Sequence, residues 1–149
     1  MSVCTFLAAD CKLPEKPRPE TGFDIKFNID TGTVYDGGRD DDYALYNFTD
    51  VGGYSDLQYG VMIEWFYCTP GRARKIIEHI KSALTKCDRV EIWTVWLMDY
   101  YEYDERPYYK TRTVSLEDLS VEDIKEIAEV NVWEASKERP TYYCLTVEF

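Results

Sequence analysis

Residues 60–98 read GVMIEWFYCTPGRARKIIEHIKSALTKCDRVEIWTVWLM, and this stretch decides the fold. Its first part, Gly60 to Cys68, is a nearly continuous apolar run of strand length. Thr69 then offers a side-chain oxygen to a helix N-terminus. Pro70 suits the first helical position, because its missing N–H would have no partner there. Ala73, Ile76, Ile77, Ile80, Ala83 and Leu84 recur at three- and four-residue intervals, the period of a helix with one buried stripe. The predicted helix runs from Thr69 to Lys86. From Arg89 to Met98, the apolar residues Val90, Ile92, Trp93, Val95, Trp96 and Leu97 fall on both faces, which predicts a strand inside a sheet. Strand, helix and strand in this order predict a βαβ unit with a right-handed crossover, if both strands join one sheet.

Outward from this unit, Val3 to Ala8 predicts a short strand. Pro14, Pro17 and Pro19 then hold an extended surface segment, since proline removes a donor and fixes φ. Phe23, Ile25, Phe27 and Ile29 alternate with polar residues, the pattern of a half-buried strand, and Asp30-Thr31-Gly32 predicts a turn. Tyr43 to Phe48 and Tyr108 to Val114 predict further strands. Ser120-Val121-Glu122-Asp123 resembles a capping box with Asp in the usual place of Glu, ahead of Ile124, Ile127 and Ala128. Tyr142 to Phe149 closes as a strand with Tyr143, Leu145 and Val147 on one buried face. The predicted fold is a single α+β domain over residues 1–149. It is a mixed, mainly antiparallel sheet with two helices packed on one face, containing one βαβ-like unit.

The chain has 149 residues, 45% hydrophobic and 15% aromatic, enough for a real core. It carries 28 acidic against 17 basic residues, a formal charge of −11. Contact with a nucleic acid duplex needs a basic footprint, so that partner is not expected. An acidic body suits solubility or a basic protein partner, and a homo-oligomer is compatible with it. No apolar run reaches membrane-spanning length, and no basic region precedes an apolar stretch at the N-terminus, so neither a membrane span nor a secretory signal is expected. Cys4, Cys11, Cys68, Cys87 and Cys144 form no C-x-x-C pair, which predicts reduced thiols and a cytoplasmic location. His79 is the sole histidine, so no zinc site and no cofactor are expected.

Against the acidic background, the helix 69–86 is basic. Arg72, Arg74, Lys75, Lys81 and Lys86 stand against Glu78. The first three crowd the N-terminus, where the macrodipole disfavours cations, so something must compensate them. One candidate is a bound phosphate or carboxylate on the backbone N–H groups, with Gly71 allowing close approach and Arg72, Arg74 and Lys75 adding charge. A second is the chain's own carboxylates, among them the loop Asp36-Gly37-Gly38-Arg39-Asp40-Asp41-Asp42, and a third is another chain docking on a basic contact patch. That loop lacks the spacing of an EF-hand and otherwise reads as solvated.

Residues 99–109 hold five tyrosines and four acids; Tyr100, Tyr101, Glu102, Tyr103 and Asp104 are the candidate protein-binding surface. The same tyrosines also suit packing at the end of a sheet. Glu64 and Glu91 each interrupt an apolar strand; on neighbouring strands they would make a carboxylate pair suited to acid–base chemistry.

Two resemblances add to this reading. Cys4-Thr5-Phe6-Leu7 looks like the start of N-terminal-nucleophile hydrolases of the bile-salt and penicillin acylase type, although Met1-Ser2-Val3 precede it here. The stretch Cys4 to Asp10 and the stretch Val90 to Tyr101 resemble small bacterial proteins to which no activity is assigned. This second resemblance implies a bacterial, cytoplasmic origin and supplies no catalytic residues. The functional expectation is a small binding protein of inhibitor or immunity type, acting through its acidic tyrosine-rich surface. The alternative is an anion- or small-molecule-binding protein, even an enzyme, acting through the basic helix start.

Overall fold

Strand β1 (Val3–Ala9) is flanked on both sides in a six-stranded sheet, and its neighbours explain the rest of the architecture. The structure is a computed structural model describing residues 3–19, 25–97, 107–133 and 139–149. The remaining strands are β2 (Ile25–Asn28), β3 (Thr33–Asp36), β4 (Ala44–Asn47), β5 (Tyr59–Glu64), β6 (Arg89–Trp96), β7 (Tyr108–Ser115) and β8 (Thr141–Glu148). The helices are α1 (Pro70–Ala83) and α2 (Val121–Ala128), and a short 3-10 helix spans Thr49–Gly53. The main sheet has the order β4-β5-β1-β6-β8-β7, while β2 and β3 form a separate hairpin.

β5 and β6 both run antiparallel to β1, so they are parallel to each other with β1 between them. The βαβ unit of residues 60–98 is therefore split by an inserted strand. β7 pairs directly and in parallel with β8, and α2 connects them, which makes a second βαβ unit. Periodicity did not announce this second unit, because β7 is exposed along most of its length and carries little apolar pattern.

Both helices lie on one face. Ala73, Ile76, Ile80, Ala83 and Leu84 of the α1 region and Ile124 and Ile127 of α2 join Leu7, Val61, Val90, Ile92, Leu145 and Val147 in one buried cluster. Each fully buried isoleucine here contributes roughly 2 kcal/mol of apolar burial. The caps act as expected. Thr69 Oγ1 accepts from the Arg72 N–H at 3.1 Å, and the Ser120–Asp123 capping box is reciprocal. The opposite face of the sheet is aromatic: Phe6, Phe48, Trp93 and Tyr142 pack with Cys4, Val51, Leu57 and Cys144.

Two expectations are corrected. β8 is buried on both faces, because Tyr142 and Cys144 meet the aromatic cluster while Tyr143, Leu145 and Val147 meet the helices. The alternating segment around Phe27 forms a hairpin outside the main sheet, and Phe27, Ile29 and Val34 are exposed. Alternation reports a two-faced strand but does not say whether another layer covers it. No helix among the described residues is long and apolar enough to cross a membrane.

Candidate functional site

The start of α1 is built from the acidic loop that precedes β4. Gly38 enters the loop at φ +77°, a left-handed backbone that only glycine adopts without strain. The turn closes with Asp42 N–H to Arg39 O at 3.2 Å and Tyr43 N–H to Asp41 O at 3.0 Å. It delivers the Asp40 carboxylate against Gly71, where any Cβ would run into it. A carboxylate of the chain itself thus lies against the first turn of α1, where the macrodipole favours it.

Arg72 points inward and is fully buried, at 0% exposure. Its Nε donates to Arg39 O at 2.9 Å and its Nη1 to Tyr67 O at 3.1 Å, while Nη2 lies 3.9 Å from Oδ2 of Asp42, itself 1% exposed. A planar guanidinium with divergent donors suits this task, joining a loop, a strand end and a helix at once. Asp42 departs from the expectation of a solvated loop: tertiary contact draws it under the surface. Arg74 is exposed, and Lys75 lies 3.7 Å from Glu78 on its own helix. Of the four residues Gly71, Arg72, Arg74 and Lys75, the structure leaves Arg74 facing solvent, gives Lys75 an ion pair on α1 and commits the other two to internal contacts.

Beside this junction sits a polar cluster that the sequence did not group. Lys16 Nζ donates to Asp41 O at 2.9 Å and Tyr43 O at 2.7 Å, and it stands 4.1 Å above the Tyr43 ring. Tyr43 Oη and His79 Nε2 are 2.8 Å apart. Burial, reinforced by Glu78 and Asp41, pushes the Tyr43 hydroxyl up to about 12. Burial pulls His79 down, with Lys16 and Lys75 adding to the effect against the opposing pull of Glu78. Lys16 thereby ties the proline-rich segment to the start of β4, and the Tyr43–His79 contact ties that start to α1.

Glu64 and Glu91 are not brought together. β1 runs between their strands, and the register sets Glu91 opposite Ala8 and Gly60, four residues along β5 from Glu64. That places them roughly 16 Å apart on sheet geometry. Each has its own partner. Glu64 pairs with Arg18 at the rim. Glu91, buried on the aromatic face, accepts from the Ser55 hydroxyl and from Trp93 Nε1 at 3.1 Å.

Cys4 lies within β1, buried against the aromatic face, and burial raises its thiol to about 12. A nucleophile needs the opposite, a thiolate at neutral pH. A scan against protein-family models, a search of curated proteins and a search of solved structures each found no match. The candidates Tyr100, Tyr101, Glu102, Tyr103 and Asp104 lie outside the described residues. The last two tyrosines of the same run are described. Tyr108 and Tyr109 open β7, one of the two edge strands of the sheet, at 42% and 51% exposure. Tyr109 also meets the rings of Trp93 and Tyr142 edge-on, so one of its faces is anchored to the aromatic layer.

Two further clefts lie beside the sheet. One of about 410 Å³ lies between β7, β8 and α2, with Lys110, Arg112, Glu126 and Tyr143 on its walls. Arg112 is paired with Asp123 at 2.8 Å, which ties its charge to the α2 cap. The second, about 430 Å³, is lined by Glu64, Phe66, Cys68 and Glu129 at the end of β5. Neither joins a nucleophile, a base and an oxyanion donor among the residues named for it.

Proposed function

We propose that the protein acts by binding a basic protein partner through the tyrosine-rich surface that begins at residue 99 and continues into β7. The single observation carrying this reading is the exposure of Tyr108 and Tyr109 at the start of an edge strand. Tyr109, held by the aromatic layer on one side and open on the other, and Tyr108, whose ring carries the Arg139 guanidinium at 3.2 Å, offer contact area at little entropic cost. The edge strand adds N–H and C=O groups that a partner segment can pair with. The net charge of −11 favours a partner rich in Lys and Arg, which carboxylates beside aromatic faces are suited to hold. An inhibitor or immunity-type role in the cytoplasm of a bacterium is the biological setting this reading assigns.

The test is affinity capture with the full chain, followed by titration calorimetry on the recovered partner at two salt concentrations. The expected result is a basic protein whose affinity falls with salt. The variant Tyr100→Ala/Tyr101→Ala/Tyr103→Ala weakens it at least tenfold, and Tyr108→Ala/Tyr109→Ala does so as well. Undiminished affinity in both variants refutes the surface.

A further inference from the structure

Cys11 and Cys87 bring their sulfur atoms to 3.4 Å although they are 76 positions apart in the sequence. The sheet explains the meeting. β1 and β6 pair with Ala9 opposite Val90; Cys11 lies two residues beyond the end of β1, and Cys87 lies two residues before the start of β6. Continuing that register sets Cys11 opposite Asp88, the neighbour of Cys87, so both cysteines lie at the same corner. The last turn of α1 covers that corner, with Ala83 O at 3.3 Å from Cys87 Sγ and 3.7 Å from Cys11 Sγ. Both side chains are half-buried at the rim of the helix-side core. The other three cysteines, Cys4, Cys68 and Cys144, are buried. A disulfide has sulfurs about 2.05 Å apart, so the bond requires the pair to close by roughly 1.4 Å.

We propose that Cys11 and Cys87 form a reversible dithiol–disulfide site, oxidised by a small-molecule disulfide of the glutathione type. In the first step the Cys87 thiol loses its proton to solvent and its sulfur attacks one sulfur of glutathione disulfide. A mixed disulfide forms, and one glutathione thiolate leaves. In the second step the Cys11 thiol gives up its proton to solvent, its sulfur attacks Cys87 Sγ, the bond between Cys87 and glutathione breaks, and the second glutathione leaves as a thiolate that takes up a proton. The two cysteines are oxidised by two electrons, and one glutathione disulfide is reduced to two glutathiones. Burial and the neighbouring Cys87 sulfur push the Cys11 thiol up to about 11, so Cys11 suits the second, intramolecular attack, where proximity replaces reactivity.

The bond has a structural consequence. Cys11 begins the proline-rich segment, which reaches β4 through the Lys16–Leu45 backbone bonds of 2.9 and 2.8 Å. Oxidation pins the near end of that strap to the α1–β6 turn and closes a long loop in the unfolded chain, which raises thermal stability.

The test treats the full chain with glutathione disulfide, quenches free thiols by alkylation, and reads intact mass, linked peptides and melting temperature. The expected product has lost the mass of two hydrogens and joins the Cys11 peptide to the Cys87 peptide. It melts roughly 10 °C higher and returns to the starting value with dithiothreitol. Cys11→Ser stalls as a glutathione adduct on Cys87 and shows no such rise; Cys87→Ser shows none either. An unchanged mass, a link between any other cysteines, or a wild-type adduct that never resolves overturns the proposal.

Discussion

The Arg72 guanidinium and the Asp42 carboxylate face each other in a space from which solvent is excluded, with Nη2 3.9 Å from Oδ2. The charge pair takes part in a larger knot, since Arg72 also donates to Arg39 O and Tyr67 O. Removing one member leaves the other buried and uncompensated. Arg72→Met is therefore expected to cost about 3–5 kcal/mol in urea unfolding. The double variant with Asp42→Asn recovers part of that loss, and strict additivity of the two changes contradicts the coupling. Arg72→Lys does not rescue, because an ammonium cannot span the same two carbonyls.

Gly71 and Asp40 are coupled through space. In the wild type, Gly71→Ala gains helix propensity but expels the Asp40 carboxylate from the helix start. In an Asp40→Ala background the three atoms nearest the new methyl group are gone. Stabilisation by up to about 1 kcal/mol is expected there, and clearly less in the wild type. Equal effects in both backgrounds, measured by thermal melts, would remove the contact from consideration.

Ser55 supports the buried carboxylate of Glu91 and accepts the Leu57 N–H at 3.0 Å. Ser55→Ala strips a partner from both, and a loss of about 2 kcal/mol is expected. Because Trp93 Nε1 donates to the same Glu91 oxygen, the indole emission should shift in the folded state of this variant. A variant with unaltered stability and emission would show that Ser55 carries neither bond.

His79 gives the protein an acid-sensitive contact. Its folded pKa lies below the ordinary value of 6.5, chiefly through burial. The unfolded chain thus takes up a proton first, and stability is lost as pH falls below about 6.5 toward the lowered folded value. Tyr43, Glu78, Lys16 and Lys75 are the groups around it. His79→Gln should flatten the pH profile between about 7 and 5, and NMR titration of this sole histidine reads its midpoint directly. A midpoint at or above 6.5 contradicts the assignment.

Asp123 carries the opposite window. Burial alone would raise its carboxyl, but the Ser120 backbone N–H, the Arg112 guanidinium and the Ser120 hydroxyl outweigh that and hold it below the usual range. The contribution is present above the unfolded carboxylate value and lost as pH falls through the lowered folded one. Asp123→Asn is expected to cost about 0.5–1 kcal/mol at neutral pH, a capping-box effect, with the difference from wild type vanishing in acid. A difference independent of pH would assign the effect to shape rather than charge.

The sequence by itself determined the elements whose causes are local. Thr69 and Pro70 begin α1, Ser120 and Asp123 cap α2, and the two-faced apolar run of β6 belongs inside a sheet. Each depends on spacing and chemistry within a few residues, which the chain displays openly. The α+β architecture follows from the order of those elements, and the helix-side core from their apolar stripes.

Only the tertiary structure decided what strand order decides. Inserting β1 between β5 and β6 separates Glu64 from Glu91 and carries Cys11 to Cys87. Folding the acidic loop onto α1 turns Arg72 from a candidate ligand contact into a buried tie and lays Asp40 over Gly71. A basic residue at a helix start has the same local signature whether it points outward or inward. Its direction is fixed by which distant carbonyls and carboxylates close around it, and no window of adjacent residues contains that information.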